Sequence, residues 1–147
     1  MAAEIACIAL GSNMGDRAAY LARARAAIAG LPGTRVVAES EVEETEPIIA
    51  VGRWPLAVGA REPRDTYLNQ MLAVETTLEP EQLLAELQAI ELASGRVRGE
   101  RWAPRTLDLD IVRYGNRRIA TATLTVPHPE LPNRDFWQRQ LAQVESG

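Results

Sequence analysis

The most informative stretch of the chain is Arg101-Trp102-Ala103-Pro104-Arg105-Thr106-Leu107-Asp108-Leu109-Asp110-Ile111-Val112. Its second half alternates polar and apolar residues, which predicts a strand with one buried face. In that strand Asp108 and Asp110 lie on one face, while the apolar residues from Leu107 to Ile111 point into the core. The two aspartate Cα atoms would be roughly 6.6 Å apart. Carboxylates at that spacing can share one or two hard divalent cations, which prefer oxygen ligands.

Four arginines lie within ten residues of one another beside this strand. They are Arg96, Arg98, Arg101 and Arg105, and only Glu100 opposes them. Two acids on a strand are more often just its solvated face, but a purely structural pairing hardly needs four arginines. Guanidinium groups bind phosphate oxygens in pairs, and carboxylates bind the accompanying metal. The stretch therefore predicts a site for a metal-bound polyphosphate.

The length and composition are typical of one soluble globular domain over residues 1–147. Hydrophobic residues make up 46% and charged residues 24%, which suits a folded core with a polar surface. No apolar run approaches the ~20 residues of a membrane helix, and the start of the chain does not read as a signal peptide. Cys7 is the single cysteine, which excludes an internal disulfide and predicts a buried thiol. We expect a cytoplasmic protein with no membrane partner.

The basic residues exclude several classes of phosphate-binding enzyme. All 16 are arginine, and the chain has no lysine. P-loop proteins and protein kinases both need a lysine on the nucleotide phosphates, so both classes are excluded. The net charge of −4 also argues against nucleic acid as a partner.

The order of predicted elements indicates the fold class. We predict strands at 4–10, 35–42, 67–76 and 106–112, helices at 17–29 (capped by Asp16) and from Pro80, and a hairpin turn at 114–117 from which residues 118–120 return as a strand. A long irregular loop at 47–65 and a short helix after Asn133 complete the chain. The order β-α-β-β-α-β-β-α predicts an α+β ferredoxin-like sandwich, with a mostly antiparallel sheet and helices packed on it.

Motifs along nearly the whole chain resemble those of the 6-hydroxymethyl-7,8-dihydropterin pyrophosphokinases of folate biosynthesis. The motifs are Arg101-x-Ala103-Pro104-Arg105-x-x-Asp108-Leu109-Asp110, Ala9-Leu10-Gly11-Ser12-Asn13, Tyr67-Leu68-Asn69, Gly95-Arg96-Val97-Arg98, Val126-Pro127-His128 and Asn133-Arg134-x-Phe136. Each is weak alone, but their order and spacing together are specific. The resemblance implies transfer of the β,γ-pyrophosphoryl group of ATP to the pterin hydroxymethyl oxygen, with release of AMP.

The resemblance also implies roles for individual residues. Asp108 and Asp110 would hold two Mg²⁺ ions, and Arg96 and Arg105 would be catalytic by gripping the migrating group. The residues that would bind ATP are Gln88, Glu91, Arg98, Arg101, Trp102, Ile111, Thr125, His128 and Arg134. The residues that would bind the pterin are Thr45, Tyr67, Asn69, Trp102 and Phe136. Thr123 and Pro129 depart from the arginine and tyrosine that some members have there, which predicts ATP binding weaker by about tenfold or more.

The chemistry of these residues agrees with the implied reaction. Phosphoryl-type transfer depends mostly on positioning and charge neutralisation, which metal and arginine can supply. A flat pterin suits stacking between Tyr67 and Phe136, although core packing would explain the two rings equally well. Asn69 can donate to and accept from the amide-like edge of a pterin.

Two other functions stay open at this point. One is a relative that binds pterin or nucleotide without catalysis. The other is single-stranded nucleic-acid binding through residues 96–105 with Trp102 stacking. We expect a monomer, with a dimer as the alternative.

Overall fold

The described part of the chain forms seven strands and three helices. The computed structural model describes residues 3–13, 16–45, 66–94 and 107–145. The elements are β1 (Glu4–Ser12), α1 (Arg17–Ala29), β2 (Thr34–Glu39), β3 (Glu43–Thr45), β4 (Tyr67–Thr76), α2 (Pro80–Ala93), β5 (Leu107–Tyr114), β6 (Ile119–Ala120), β7 (Thr125–Val126) and α3 (Asp135–Glu145). A short 3₁₀ turn at Leu131–Asn133 precedes α3.

The main sheet is antiparallel and has the strand order β2-β4-β1-β5, with β3 paired to the beginning of β4. β1 and β4 occupy the centre and are buried along most of their length, because helices cover both faces. The order of elements and the order of strands are those of a ferredoxin-like sandwich. The predicted fold class is therefore confirmed.

The helices divide the core into two parts. On one face, Leu21 and Ile28 of α1 and Leu83 and Leu87 of α2 pack on the sheet. On the other face α3 is the one helix of the described residues that packs on the sheet, through residues such as Trp137. Because one helix is too narrow to cover the whole sheet, part of this second face is available for a ligand.

β5 confirms the alternation read from the sequence. Leu107, Leu109 and Ile111 belong to the core under α1 and α2. Asp108 and Asp110 are half-buried and point to the opposite face. The two carboxylates therefore lie on the side of the sheet that α3 covers incompletely.

Two short strand pairings differ from the prediction. β3 pairs with β4 in the register Thr45↔Tyr67, although no strand was predicted at 43–45. After the turn at Gly115, which has a φ of +55° as a tight turn requires, residues 119–120 pair with β7 and not back along β5. The predicted hairpin is therefore wrong, because residues 119–120 pair with β7 and not with β5. Contacts between residues distant in sequence decide which strand they pair with.

The helix boundaries agree with the predicted signals. The Asp16 side chain accepts the backbone N–H of Ala19 at 3.1 Å, and Pro80 is the first residue of α2. Among the helices in the described ranges, none is both long and apolar enough to span a membrane. The predicted loop at 47–65 lies outside the described residues.

Cys7 provides a test of the packing between the sheet and α3. Its side chain is 2% exposed, and burial raises the pKa of its thiol to about 11. At pH 8 only about one thiol in a thousand would be ionised, and reagents would have little access to it. We expect the native protein to react with a thiol-specific disulfide reagent at less than about 1% of the rate measured in guanidinium chloride. Equal rates in the two conditions would contradict the packing.

Candidate active site

The candidate site is built on two rows of residues that cross the sheet. In one row Gly11 of β1 lies between Asn69 of β4 and Asp108 of β5. In the next row Ala9 lies between Met71 and Asp110. Residues directly opposite one another in a sheet share a face, so Asn69 and both aspartates point to the same side. Asn69 and Asp108 are two strands apart, which corresponds to roughly 10 Å.

Small residues keep the middle of these rows open. A methyl group at Gly11 would lie 3.1 Å from Asn69 Oδ1, so it would crowd that side chain, and it would be in ordinary contact with Tyr67 Cδ2 at 3.6 Å. With glycine and alanine at this part of β1, the floor between Asn69 and the aspartates is flat backbone. A planar ligand can therefore lie directly on the sheet.

A pocket of about 330 Å³ lies above this floor. We call it the sheet pocket, and its lining residues are Ala9, Leu10, Gly11, Thr45, Tyr67, Asn69, Asp108, Asp110, Arg134, Phe136 and Trp137. The structure thus brings four of the five residues predicted to bind pterin together with both predicted metal ligands. Asn69 Nδ2 donates to Thr45 Oγ1 at 2.6 Å, which fixes the orientation of the amide.

A second pocket of about 240 Å³ adjoins the first. This outer pocket is lined by Leu84, Asp110, Ile111, Thr121, Ala122, Thr123, Leu124, Thr125, His128 and Pro129. Three residues predicted to bind ATP, namely Ile111, Thr125 and His128, therefore lie together. Asp110 lines both pockets, so ligands in the two pockets would approach each other at its carboxylate.

His128 and Glu91 contact the aspartate strand. His128 Nε2 lies 3.7 Å from Asp110 Oδ1, and its Nδ1 accepts the backbone N–H of Glu130 at 3.0 Å. In the neutral ring the proton therefore sits on Nε2, towards the aspartate. The Glu91 carboxylate accepts the backbone N–H of Leu109, the residue between the two acids, at 2.8 Å. α2 thereby holds this part of the edge strand in place.

Trp137 was not among the predicted site residues, yet it lies at the centre of the aromatic and cationic side chains. Its ring is 4.9 Å from the ring of His128 in an edge-on arrangement, and the Arg134 guanidinium lies 4.4 Å above it. Such contacts orient the Arg134 and His128 side chains. The one available signal was the three-residue spacing from Arg134, which immediately precedes α3, to Trp137 in the first turn of that helix.

Arg134 has a buried hydrogen-bond donor that an anion in the sheet pocket could satisfy. Its Nε is buried and has no hydrogen-bond partner among the described residues, although the side chain lines the sheet pocket. A buried donor without a partner costs free energy unless a ligand satisfies it. The predicted phosphate contact would do so.

The remaining predicted residues fall into two groups. Gln88 is exposed on α2, on the turn before Glu91. Those outside the described residues are Arg96, Arg98, Arg101, Trp102 and Arg105. Their roles, like those of the residues in the pockets, stay predictions.

Thr123, which stands in place of an arginine, has its hydroxyl engaged with a neighbour. It donates to Glu81 Oε1 at 2.9 Å, and Thr121 donates to the other oxygen of the same carboxylate at 3.1 Å. The outer pocket therefore has a neutral hydroxyl tied to α2 at this position, without the positive charge that an arginine would bring.

Comparison with known proteins identifies the family. The family model described as 7,8-dihydro-6-hydroxymethylpterin-pyrophosphokinase (HPPK) matches residues 7–146. A 2-amino-4-hydroxy-6-hydroxymethyldihydropteridine pyrophosphokinase of Haemophilus influenzae is 42% identical over 96% of this chain and 81% of its own length. The protein of the same name from Bacillus subtilis is 39% identical over 96% of this chain and 78% of its own length.

Solved structures agree at the level of the fold. The chain is similar to a crystal structure of an HPPK-DHPS in complex with substrates, with a TM-score of 0.68 and 12% identity over 98% of this chain. It spans 40% of the length of that protein. Because the family model and the relatives cover almost all of its length, the chain belongs to the 7,8-dihydro-6-hydroxymethylpterin-pyrophosphokinase family.

Proposed function

We propose that this protein transfers pyrophosphate from ATP to 6-hydroxymethyl-7,8-dihydropterin, giving AMP and the pterin diphosphate, as a step of folate biosynthesis. Family membership supports the reaction class. The observation that carries the assignment to this site is that Asp110 lines both pockets. A nucleotide in the outer pocket and a pterin in the sheet pocket would then meet at the carboxylate pair.

The sheet pocket has the chemistry of a pterin site. Tyr67 and Phe136 supply aromatic rings for the faces of a flat heterocycle, and the open backbone at Gly11 lets it lie on the sheet. Asn69 offers an amide that can both donate and accept, and its contact with Thr45 fixes which way it points. A volume of about 330 Å³ suits a molecule of that size.

The carboxylate pair fits magnesium. Within the described ranges, no group of three or more histidine, cysteine or acidic residues could hold a metal. Mg²⁺ commonly takes one or two carboxylates from the protein and completes its shell with water and substrate phosphates. Asp108 and Asp110 offer that set on a half-buried face. Bound there, the metal would neutralise phosphate charge during transfer.

The protein's own contribution to the reaction is positioning. The pterin hydroxymethyl oxygen forms a bond to the β-phosphorus of ATP, the bond between that phosphorus and the oxygen on the α-phosphorus breaks, and AMP leaves. Such transfers need alignment and charge neutralisation more than covalent help from side chains. Arg134 would bind phosphate oxygens, and we include Arg96 and Arg105 in this role from the resemblance. Trp137 contacts both Arg134 and His128, and these contacts would orient the two side chains towards the reacting groups.

The adenine product tests the proposal. The protein is incubated with ATP, Mg²⁺ and hydroxymethyldihydropterin, and the nucleotides are separated by chromatography. We expect AMP in equal amounts with pterin diphosphate, no reaction in EDTA, and recovery when Mg²⁺ is restored in excess. Formation of ADP would indicate an ordinary kinase. Absence of turnover with intact binding would indicate a protein that only binds its ligands.

A further inference from the structure

Three polar side chains form a cluster on the face of the sheet opposite the sheet pocket. Arg17 Nη1 donates to Glu44 Oε2 at 3.1 Å, to Thr66 Oγ1 at 2.6 Å and to the Thr66 carbonyl at 3.0 Å. Thr66 Oγ1 donates in turn to Glu44 Oε2 at 2.5 Å. We call these three residues the Arg17 clamp. They join the first residue of α1 to β3 and to the residue before β4.

The clamp lies directly behind one wall of the sheet pocket. Thr45 pairs with Tyr67 across β3 and β4, and both line the pocket. Glu44 and Thr66 are the immediate neighbours of those two residues in the chain. Since successive side chains in a strand point to opposite faces, the clamp faces α1 while Thr45 and Tyr67 face the ligand. A shift in the clamp therefore moves the pocket wall.

Helix formation does not explain why an arginine stands at position 17. It is the first residue of α1, where the helix dipole disfavours positive charge, and the first turn contains no acid. The helix is already capped by Asp16. The contacts to Glu44 and Thr66 are what this arginine provides.

β3 needs such an anchor. It has three residues, and in the described part of the chain it pairs with the beginning of β4 alone, which is short for an independently stable pairing. Its Asn69–Thr45 hydrogen bond lies on the pocket side. The Thr66 hydroxyl and the Arg17 guanidinium hold the pKa of the Glu44 carboxyl below its usual value, so the acid is charged at neutral pH. The anchor is therefore formed under working conditions.

We propose that the Arg17 clamp is a positioning device for the pterin substrate, which sets the affinity of the sheet pocket for the heterocycle by fixing Thr45 and Tyr67. None of its three residues lines the sheet pocket. The identity of the ligand rests on the proposed function, while the coupling between clamp and pocket rests on the geometry alone.

The test compares two substitutions at one position. Thr66→Val keeps the side-chain shape and removes the hydroxyl, whereas Thr66→Ser keeps the hydroxyl. Glu44→Gln removes the charge, and Glu75→Gln is its control, because Glu75 also pairs with an arginine (2.8 Å from Arg35 Nε) but at the far end of β4. The readouts are KM for each substrate, kcat, melting temperature, and the Kd of the pterin by calorimetry in the presence of a non-hydrolysable ATP analogue.

We expect Thr66→Val and Glu44→Gln to raise KM and Kd for the pterin about five- to tenfold, with KM for ATP and kcat within about twofold of wild type. Thr66→Ser and Glu75→Gln should match wild type. Melting temperatures should fall by no more than about 3 °C, because the Glu44 side chain is 54% exposed and solvent weakens its ion pair with Arg17.

Two outcomes would overturn the proposal. One is an unchanged pterin Kd in Thr66→Val and Glu44→Gln. The other is an equal rise in KM for both substrates together with a large fall in melting temperature, which would indicate a purely structural role. If the wild-type protein binds pterin but shows no turnover, the proposed function fails while the Kd comparison still decides the role of the clamp.

Discussion

Asp110→Ala is expected to lower kcat by at least about a thousandfold while leaving the melting temperature within about 2 °C of wild type. Asp110 lines both pockets, and its carboxylate is 3.7 Å from His128 Nε2, too far for a strong hydrogen bond. Its removal would take away a proposed ligand of Mg²⁺ without disturbing the core. Asp108→Ala should lower kcat by a similar factor. Steady-state assays with saturating ATP and pterin, combined with thermal melts, measure both quantities.

Glu75→Ala is the matched control for these two variants. Its side chain is 38% exposed, against 39% for Asp110, and it pairs with Ile5 at the opposite end of the sheet. It should keep kcat within about twofold. A large loss of stability in the aspartate variants, with activity falling only in proportion to the folded fraction, would show that the acids are structural. Rescue of activity by a different divalent metal would instead support metal binding.

Asn69→Leu is expected to lower kcat/KM for the pterin about 100-fold, which corresponds to roughly 2.7 kcal/mol of transition-state stabilisation. The amide is 7% exposed and is held by Thr45 at 2.6 Å in the sheet pocket. Leucine has a similar volume but cannot satisfy the polar edge of the ligand, which would then be desolvated without compensation. The effect should appear with the pterin and not in KM for ATP, which should stay within about twofold.

Thr45→Val provides the graded comparison for Asn69→Leu. It removes the hydroxyl that orients the Asn69 amide but leaves the amide in place. We therefore expect a smaller fall in kcat/KM for the pterin, about five- to tenfold. We expect kcat/KM for the pterin to be lowest in Asn69→Leu, intermediate in Thr45→Val and highest in the wild type. If Thr45→Val were as damaging as Asn69→Leu, the hydroxyl and not the amide would be the main contact with the ligand.

The fold was predictable where one local pattern decided it. The alternation in residues 107–112 placed the aspartates and the core leucines on opposite faces, and the cap at Asp16 marked the start of α1. β3 was not predictable, because Glu43–Thr45 is entirely polar and has no periodicity of its own. Its strand character comes from pairing with β4 and from contacts such as that of Arg17. The partner of β6 is likewise decided by residues distant in the chain.

The site was predictable to a similar degree. The resemblance named residues that the structure brings into two adjoining pockets, including Tyr67, Phe136 and His128. It did not indicate Trp137, since a tryptophan in a helix reads as core and its contacts with Arg134 and His128 depend on side-chain directions. The contact between Glu91 and the backbone of Leu109 could not be predicted from a sequence pattern either, because it joins two elements that are distant in the chain.

The bare stretch of β1 at Gly11 has a consequence for inhibitors. A flat compound seated there would rest against main-chain atoms, which no substitution can remove. A methyl group at this position would lie 3.1 Å from Asn69 Oδ1 and would also occupy space proposed for the pterin. A substitution of Gly11 that excludes such a compound would therefore also weaken binding of the proposed pterin substrate. Resistance mutations at this position would lower the activity of the enzyme itself.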